Sequence, residues 1–438
     1  MTPRDSRVPA PVERARERMQ GAGLWNDGQH LGRRFAIGCV ALEITQRCTL
    51  DCTLCYLSES SEALQDVPLA ELFRRIDAIR KEYGPGTDIQ ITGGEPTLRR
   101  REELLAIVRH ARDAGLRPAL FTNGKLASRD LLAELCAAGL VDVAFHVDMT
   151  QLRPDYACEA DLNALRAEYI DRARGLPLAV YFNTTAFDGN FHELPALVRF
   201  FVANADVVRL ASFQLQADTG RGVLGARGPE INPGTVAAQI RLGAGAPVGF
   251  DAFNIGHPDC NRYAMTLVAN GKVHDLLDDQ PFVRRVLAAS RAVAFQRGNP
   301  RAAAWAMLRC LLPRPALLAT GCAWLARRLW RMRRDLVGAR GRVHKLSFFI
   351  HNFMDARALD QQRVDACSFM VATSNGPVSM CVHNAARDDY LLAPVRMAQV
   401  GWWDPLTGAM RATPPPPGTV RLTRKTARGR ARLRKEAA

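Results

Sequence analysis

The sequence predicts an α/β protein built on a parallel sheet that curls into an incomplete barrel. Short apolar runs alternate strictly with helical patterns from Phe35 to about Gln216, and this alternation is typical of a parallel sheet with helices outside it. Gly115 and Gly139 stand where two of these helices would stop, close before the next strand. Six strands fit an incomplete barrel better than the closed eight-fold one.

The predicted strands and helices follow from the positions of the apolar runs. The strands are expected at Phe35–Thr45, Asp88–Thr92, Arg117–Thr122, Val141–Val147, Leu178–Thr184 and Val207–Gln214. The helices between them are expected at Pro68–Tyr83, Arg101–Gly115, Ser128–Gly139, Ala160–Arg174 and Phe191–Ala203. Polar residues collect at the C-terminal ends of these strands, which is where such sheets place their active sites.

Beyond Gln216 the regular alternation is lost, so the rest of the chain is expected to be mostly helical and irregular. The chain divides into five expected segments: an N-terminal extension at 1–34, the core barrel at 35–216, a connecting loop with a basic amphipathic helical region at 217–345, a C-terminal region at 346–418 and a basic disordered tail at 419–438.

Composition narrows the class of protein. The chain has 438 residues, 47% of them hydrophobic, which is ample for a large core. Its 11 cysteines are too few and too unevenly spread for a disulfide framework, so we expect a reducing compartment. The N-terminal residues lack the apolar region of a secretory signal. No uncharged apolar run approaches the roughly 18–20 residues of a membrane span. Together these features predict a cytoplasmic protein.

Three cysteines directly after the first predicted strand form the candidate metal site. Cys48, Cys52 and Cys55 are close enough in sequence for their thiolates to converge on one iron–sulfur cubane from a single loop. Three ligands for four irons leave one iron open for a substrate or cofactor. Zinc usually takes a fourth nearby Cys or His, and the nearest candidate, Cys39, lies back inside the strand. The alternative is an accidental spacing or another metal site.

Polar motifs follow the next two predicted strands. Thr92-Gly93-Gly94-Glu95-Pro96-Thr97 ends the second strand, and Thr122-Asn123-Gly124 ends the third. Two glycines let a backbone approach a ligand closely, and amides with a carboxylate can hold a zwitterionic amino acid. Together with the cysteine triad, these motifs have the residues, the order and the placement at strand ends that are typical of the radical S-adenosylmethionine (radical SAM) superfamily. The sequence therefore resembles this superfamily.

The resemblance implies a partial (β/α)6 barrel and two cofactors, a [4Fe–4S] cluster and S-adenosylmethionine. Cys48, Cys52 and Cys55 would be the catalytic cluster ligands, and the methionyl amine and carboxylate of the cofactor would chelate the fourth iron. One electron from an external reductant would then cleave the sulfonium, giving methionine and a 5′-deoxyadenosyl radical. The cofactor does the hard chemistry, while the protein orients it and excludes water.

The resemblance also implies which residues contact S-adenosylmethionine. Gly93, Gly94 and Glu95 match the methionine-binding motif, with Glu95 near the amine, and Tyr56 matches the aromatic position beside the adenine. Further cofactor contacts are expected from the residues that end strands three, four and five: Asn123, Asp148 and Asn183. For these last three residues, helix capping or turn formation is the alternative.

The C-terminal region resembles one subset of the superfamily, which includes archaeal tetraether lipid synthases and proteins described as pterin methyltransferases. The resemblance is carried by three motifs: His257-Pro258-Asp259-Cys260, His351-Asn352-Phe353-Met354-Asp355 and Cys367 with Cys381-Val382-His383. In that subset, C-terminal cysteines bind auxiliary iron–sulfur clusters. Cys260, Cys367 and Cys381, with His257 and His383 as candidate extra ligands, are enough for at most one auxiliary site. The alternative is a set of buried, inert thiols.

Basic charge points to an anionic partner. The net charge is +15, and eight Lys and Arg residues without an acid lie between Arg421 and Lys435. From Arg301 to Arg334, Trp and Leu alternate with Arg, which is the composition of an interfacial helix, so we expect peripheral association with an anionic membrane at its inner face. The alternatives are a helix packed on the barrel and a solvated tail. Nucleic acid is less favoured because no base-stacking aromatics interleave with the tail.

Two classes of function compete. The leading hypothesis is an enzyme that abstracts hydrogen from an unactivated carbon of a lipid or other hydrophobic substrate, with peptide or RNA modification as the alternative reaction. The second class is a non-catalytic iron–sulfur protein that kept the barrel as a scaffold. Retention of the three cysteines together with Gly93, Gly94 and Glu95 argues against this second class, and cofactor cleavage would separate the two.

Overall fold

Six parallel strands alternate with five helices in the first half of the chain. The strands are β1 Cys39–Thr45, β2 Asp88–Gly93, β3 Arg117–Thr122, β4 Asp142–His146, β5 Ala179–Ala186 and β6 Val208–Leu215. The helices are α1 Leu69–Tyr83, α2 Arg101–Asp113, α3 Arg129–Ala138, α4 Leu162–Ala173 and α5 Leu194–Ala203. All six strands pair in sequence order and in parallel. The predicted fold class is confirmed.

The computed structural model describes residues 37–252, 255–291, 293, 295, 299–397, 400–416 and 420, together with residues 17, 20 and 21. The predicted N-terminal extension (1–34) therefore lies outside the described residues, apart from those three positions. The basic tail (419–438) also lies outside them, except for residue 420. The expected segment boundaries remain predictions.

Local sequence signals explain where the helices begin and end. The side chain of Ser128 caps α3 by accepting a hydrogen bond from the backbone N–H of Leu131 at 3.2 Å. The same helix ends at Gly139, whose φ of 117° lies in the left-handed region that favours glycine. Capping and stop signals of this kind are local, which is why the sequence predicts these helix ends well.

The same sheet continues through the second half of the chain, where the sequence predicts mostly helical and irregular structure. Five more strands join it: β7 Asn261–Ala269, β8 Lys272–Asp275, β9 His344–His351, β10 Phe369–Thr373 and β11 Gly376–Ser379. The strand order is β11-β10-β1-β2-β3-β4-β5-β6-β9-β7-β8, with β10 parallel to β1 and β9 parallel to β6. The C-terminal region is thus part of the barrel wall.

Aromatic side chains bring the two sides of this sheet together. The ring of Phe369 on β10 lies 5.9 Å from that of Phe349 and 4.7 Å from that of His351, both on β9. These strands flank β1 and β6, so the contact shows that the twisted sheet curls until its sides meet. The interior of the curled sheet is therefore enclosed around its circumference.

The remaining elements lie mostly after β6. The helices are α6 Pro233–Ala244, α7 Gln280–Ser290, α8 Pro300–Leu311, α9 Pro315–Gly338, α10 Gln361–Asp365, α11 Met380–Ala385 and α12 Arg387–Leu391. A small antiparallel sheet contains β12 Val395–Met397, β13 Gly401–Trp403 and β14 Met410–Arg411. Among the residues the structure describes, every helix is too short or too polar to cross a bilayer.

A buried ion pair connects the C-terminal helices to the first strand. Glu43 on β1 is 5% exposed, and Arg387 at the start of α12 is 3% exposed. The Arg387 guanidinium donates to Glu43 Oε1, and Gln46 Nε2 donates to Glu43 Oε2 at 2.8 Å. Burial alone would raise the pKa of Glu43, but Arg387 and His383 outweigh it and lower that pKa below its ordinary value. The pair therefore remains charged at neutral pH.

We expect Arg387→Met to lower the free energy of unfolding by about 3–5 kcal/mol at pH 7, because Glu43 would be left buried and unpaired. The double variant Glu43→Gln, Arg387→Met should recover most of this loss, since it leaves no buried charge. The free energies of unfolding of both variants can be measured by urea denaturation.

The lowered pKa of Glu43 gives a stabilisation that is present above its ordinary pKa and is lost as pH falls through the folded-state pKa. The loss of unfolding free energy caused by Arg387→Met should therefore become smaller in acid. A loss that does not change with pH would contradict this explanation.

Candidate functional site

The cysteine loop follows β1 and is held from several directions. Glu95 N donates to Arg47 O at 2.7 Å, which ties the start of the loop to the turn after β2. Thr53 N donates to Thr150 O at 2.8 Å, which ties its middle to the turn after β4. These bonds fix the loop at the C-terminal ends of the strands, as the sequence predicts.

Two glycines let the turn after β2 pack directly on the start of this loop. A Cβ atom at Gly93, where φ is +140°, would lie 2.0 Å from Thr45 O, and one at Gly94 would lie 2.2 Å from Arg47 O. No side chain fits at either position. Sequence reasoning explained the glycines by the approach of a ligand; the structure shows that they are also required for contact between two protein loops.

The three cysteines line one large cavity inside the curled sheet. It has a volume of about 410 Å³, and Cys48, Cys52 and Cys55 lie along its wall together with Gly93 and Gly94. A space of this size is typical of a small-molecule site. All three thiols are free. Burial raises the pKa of the Cys48 and Cys52 thiols, and the neighbouring Cys55 raises both further.

This arrangement fits a [4Fe–4S] cluster better than a single metal ion. The charges of the three sulfurs interact, so the thiols are close neighbours. Yet within the described ranges no three Cys, His, Asp or Glu side chains converge tightly enough to bind one ion. Ligands of a cubane bind different irons and therefore need not meet at one point. Metal binding would replace the thiol protons, which burial holds in place.

Glu95 is a structural carboxylate. It is completely buried, and Oε1 accepts hydrogen bonds from Thr97 N at 3.1 Å and Thr122 Oγ1 at 2.7 Å. Oε2 accepts one from Asn123 N at 2.8 Å. Glu95 does not line the cavity, whereas Asn123 does. The geometry places Glu95 behind Asn123, so a direct contact with the cofactor amine remains a prediction that these hydrogen bonds do not support.

Tyr56 lies at the cavity wall, as the resemblance implies. Its hydroxyl donates to Gly93 O at 2.6 Å, and the guanidinium of Arg387 lies 4.6 Å from the centre of its ring. Burial raises the pKa of the Tyr56 hydroxyl, and the nearby Glu43 raises it further. The ring is therefore a neutral, oriented surface beside Gly93.

Of the three predicted strand-end contacts, the structure places two at the cavity. Asn123 and Asn183 line it, and both are largely buried. Asp148 does not line the cavity; its oxygens accept hydrogen bonds from Thr150 N at 3.0 Å and Thr185 N at 2.7 Å. Asp148 is thus a capping residue, which was the alternative weighed from the sequence, and a direct contact with ribose or carboxylate is not what its geometry shows.

His146 is a candidate functional residue that the sequence reasoning missed. It ends β4 and lines the cavity, and its Nε2 lies 2.7 Å from Asp148 Oδ2. Burial alone would lower the pKa of His146, but Asp148 outweighs it and raises that pKa. The pair presents an oriented, proton-bearing imidazole to the site. The sequence feature that would have identified His146 is a histidine at the end of a predicted strand with an aspartate two residues later.

The far wall of the cavity is aromatic. His351 is stacked on Phe353 with the ring centres 5.3 Å apart, and Phe349 lies 4.2 Å away on its other side. Phe369 completes the group. Burial lowers the pKa of His351 to about 3, so its imidazole is neutral. Ile255 and Met380 extend this apolar surface.

Three C-terminal cysteines, Cys260, Cys367 and Cys381, are the predicted ligands of an auxiliary site. Charges on Cys260 and Cys367 would each raise the pKa of the buried Cys381 thiol, which burial raises to about 12. Arg363 Nε donates to Cys260 Sγ at 3.3 Å, and Cys367 Sγ donates to Phe369 O at 3.0 Å. Like the thiols of the cysteine loop, these thiols form no single-ion site with other side chains in the described part of the chain.

The two histidines expected as extra ligands are already engaged. His257 Nδ1 accepts a hydrogen bond from Asp259 N at 3.1 Å. His383 is stacked on Tyr390 with ring centres 5.1 Å apart, and its Nδ1 lies 3.3 Å from Arg387 Nη1. Burial lowers the pKa of His383 to about 4, so it is neutral. The structure therefore favours the three thiols over either histidine as the centre of an auxiliary site.

Comparison with known proteins agrees with this geometry. Residues 42–199 match the model of the Radical SAM superfamily. The 7,8-dihydro-6-hydroxymethylpterin dimethyltransferase of Methanocaldococcus jannaschii is 31% identical over 186 residues, which are 41% of this chain and 36% of the relative. The PqqA peptide cyclase of Bradyrhizobium diazoefficiens is 29% identical over 178 residues, 40% of this chain and 46% of the relative. This chain thus spans less than half the length of either curated relative.

Among solved structures, the crystal structure of Streptococcus suis SuiB aligns with a TM-score of 0.36 at 12% identity, covering 52% of this chain and 48% of that one. A score of this size supports no conclusion about substrate. The matched sequence region contains the cysteine loop, both glycines and strands β2 to β5. Residues 42–199 of this chain therefore form a domain of the radical SAM superfamily.

Proposed function

We propose that the protein is a radical SAM enzyme that abstracts hydrogen from an unactivated carbon of an apolar substrate. The observation that carries this proposal is one cavity in which Cys48, Cys52 and Cys55 face the same space as an aromatic wall. When bound, a [4Fe–4S] cluster and S-adenosylmethionine supply a 5′-deoxyadenosyl radical after one-electron reduction by an external donor.

The chain's own residues bind and orient the cofactor in this proposal. The three thiols hold the cluster, while Gly93 and Gly94 supply backbone groups beside it. Tyr56 provides a flat surface that is fixed by its hydrogen bond to Gly93 O. The enclosing sheet excludes water, which protects a radical from side reactions.

Other polar residues position the substrate and the cofactor. Asn123 and Asn183 offer amide groups at the cavity, and Glu95 holds Asn123 from behind. His146 offers a proton-bearing nitrogen oriented by Asp148. None of these groups has to change its charge for hydrogen abstraction, so their role is orientation rather than acid–base chemistry.

The substrate class follows from the aromatic wall. Phe349, Phe353 and Phe369 surround a neutral His351, and Ile255 adjoins them. Such a surface favours an alkyl or aromatic group over a charged one. A lipid chain meets this requirement and is our first candidate. An apolar peptide side chain also meets it, and the likeness to the PqqA peptide cyclases supports peptide modification as the second candidate.

We expect anaerobically reconstituted protein reduced with dithionite to convert S-adenosylmethionine to 5′-deoxyadenosine, measured by liquid chromatography. Replacing Cys48, Cys52 and Cys55 together by Ala should reduce the rate to background, because no cluster ligand remains. Cys136→Ala, on α3, is the matched control and should retain cleavage. Glu95→Ala should weaken cofactor binding about tenfold, or ~1.4 kcal/mol, with iron content retained, because Asn123 loses its anchor. Cleavage by the triple variant would refute the assignment, and a wild type that binds iron without cleaving would support the non-catalytic alternative.

We also propose that Cys260, Cys367 and Cys381 hold one auxiliary iron–sulfur cluster. The support is that Cys260 and Cys367 both act electrostatically on the buried Cys381 thiol, although Cys260 and Cys367 lie more than a hundred residues apart in sequence. Arg363 beside Cys260 would stabilise a thiolate there. The alternative, inert thiols, makes a different prediction about iron content.

With two clusters, the reconstituted wild type should bind about eight irons per chain, and the triple Ala variant of Cys48, Cys52 and Cys55 about four. Replacing Cys260, Cys367 and Cys381 by Ala should likewise leave about four irons and retain cofactor cleavage. Iron and sulfide analysis measures the cluster content of the wild type and of each triple variant. A wild-type content near four irons would end the auxiliary-cluster proposal.

A membrane partner is the third part of the proposal, and it is supported by the surface of α8 and α9. Trp305, Leu329 and Trp330 are exposed by half or more, and arginines surround them, which is the chemistry of a helix lying at an anionic bilayer surface. Trp324 instead packs on Phe282, with the rings 5.5 Å apart, and so belongs to the interior. Some arginines of α9 also pair with Asp278 and Asp279, which lowers the charge of this face.

Cosedimentation should show binding to vesicles containing phosphatidylglycerol and less to phosphatidylcholine alone, with binding falling as salt rises. The double variant Trp305→Ser, Trp330→Ser should lose most of the binding that persists at high salt, because that part is apolar. Leu126→Ser, at an exposed apolar residue of the barrel, is the control and should bind normally. Equal recovery with both vesicle types would contradict the membrane proposal, and dimerisation through this face would indicate a second copy as its occupant.

A further inference from the structure

A short segment after β6 clasps the cysteine loop. Arg221 N donates to Leu57 O at 2.7 Å, and Val223 N donates to Thr53 O at 2.7 Å. Gly220 makes this approach possible, because its φ is +56° and a Cβ atom there would lie 2.3 Å from Tyr56 O. We call residues 219–223 the clasp. It contacts the loop along the stretch that contains Cys55.

The clasp places a buried cation beside the cluster ligands. The Arg221 side chain is 2% exposed, and it pairs with Glu62 at 3.0 Å and with Asp51 at 3.7 Å. Both carboxylates are about half exposed, so water screens their charge. The Arg221 Nε is buried and has no acceptor among the described residues. Its charge is therefore only partly compensated by the protein.

Cys55 is the neighbour of this guanidinium inside the site. Burial alone would lower the pKa of Arg221, but Cys55, followed by Asp51 and Glu62, outweighs it and raises that pKa. At Gly222, a Cβ atom would lie 3.6 Å from Cys55 N, which shows independently how closely the clasp approaches this cysteine. The Arg221 guanidinium thus lies beside the cysteine loop, where it pairs with Asp51, the residue before Cys52.

The reduction potential of an iron–sulfur cluster depends on net charge, on hydrogen bonds to the sulfurs and on solvent exposure. A fixed buried cation stabilises the more negative, reduced state. Building on the proposed function, we propose that Arg221 is a positioning residue that raises the reduction potential of the cluster held by Cys48, Cys52 and Cys55. One electron from the external donor enters the cluster, and Arg221 stays protonated, so no proton moves.

The test is a redox titration of reconstituted protein with dithionite, with the reduced cluster followed by electron paramagnetic resonance and without S-adenosylmethionine. At a fixed solution potential, Arg221→Met should lower the ratio of reduced to oxidised cluster at least tenfold, which is 59 mV for a one-electron couple. Arg221→Lys keeps the charge and should stay within about threefold of the wild type. Arg227→Met is the matched control, because Arg227 lies nearby and donates to Gln216 O at 3.4 Å; it should leave the ratio unchanged.

If Arg221→Met has full iron content and an unchanged cluster potential, the inference is overturned. An equal shift of the cluster potential in Arg227→Met would also overturn it. If Arg221→Met loses iron, Arg221→Lys decides: a wild-type ratio supports the role of the charge, and a tenfold fall overturns it. The readout does not depend on turnover. A wild type that holds a cluster but cleaves no cofactor would refute the proposed function alone, and a wild type that holds no cluster would refute both.

Discussion

The buried pair of Glu43 and Arg387 is the constraint on which the site depends. Glu43 lies two residues before the end of the first strand, which leads into the cysteine loop, and Arg387 begins a helix near the other end of the chain. Leaving either charge without the other inside the fold costs several kcal/mol. The C-terminal helices are therefore held against β1, and the cavity is closed where β1 would otherwise be an edge strand.

The same guanidinium also orders the cofactor side of the cavity. Arg387 lies over the ring of Tyr56, and the Tyr56 hydroxyl donates to Gly93 O. Through these two contacts, a residue far along the chain orients the aromatic ring and the glycine turn expected at S-adenosylmethionine. The clasp contacts the same part of the chain through Arg221, which pairs with Asp51. Two buried arginines, Arg387 and Arg221, thus contact residues in or next to the loop of cysteines.

Two buried carboxylates support residues that line the cavity. Glu95 and Asp148 are both predicted to contact the cofactor, and in the structure each accepts a hydrogen bond from a backbone N–H group. Their effect reaches the cavity through Asn123 and His146, which face it. A buried charge is stable when protein donors satisfy it completely, and a carboxylate that is satisfied in this way is poorly placed to contact a ligand directly.

The sequence by itself determined the six strands and five helices of the barrel, the order of the motifs and the cysteine loop at the strand ends. These features depend on local signals: apolar periodicity, helix caps such as Ser128, stop signals such as Gly139, and close spacing of Cys48, Cys52 and Cys55. Only the tertiary structure decided the rest. The pairing of strands β7 to β11 in the sheet, the aromatic wall around His351 and the clasp all depend on contacts between distant segments. Periodicity within one segment carries no information about such pairings, because they are selected by burial and charge only when the whole chain has folded.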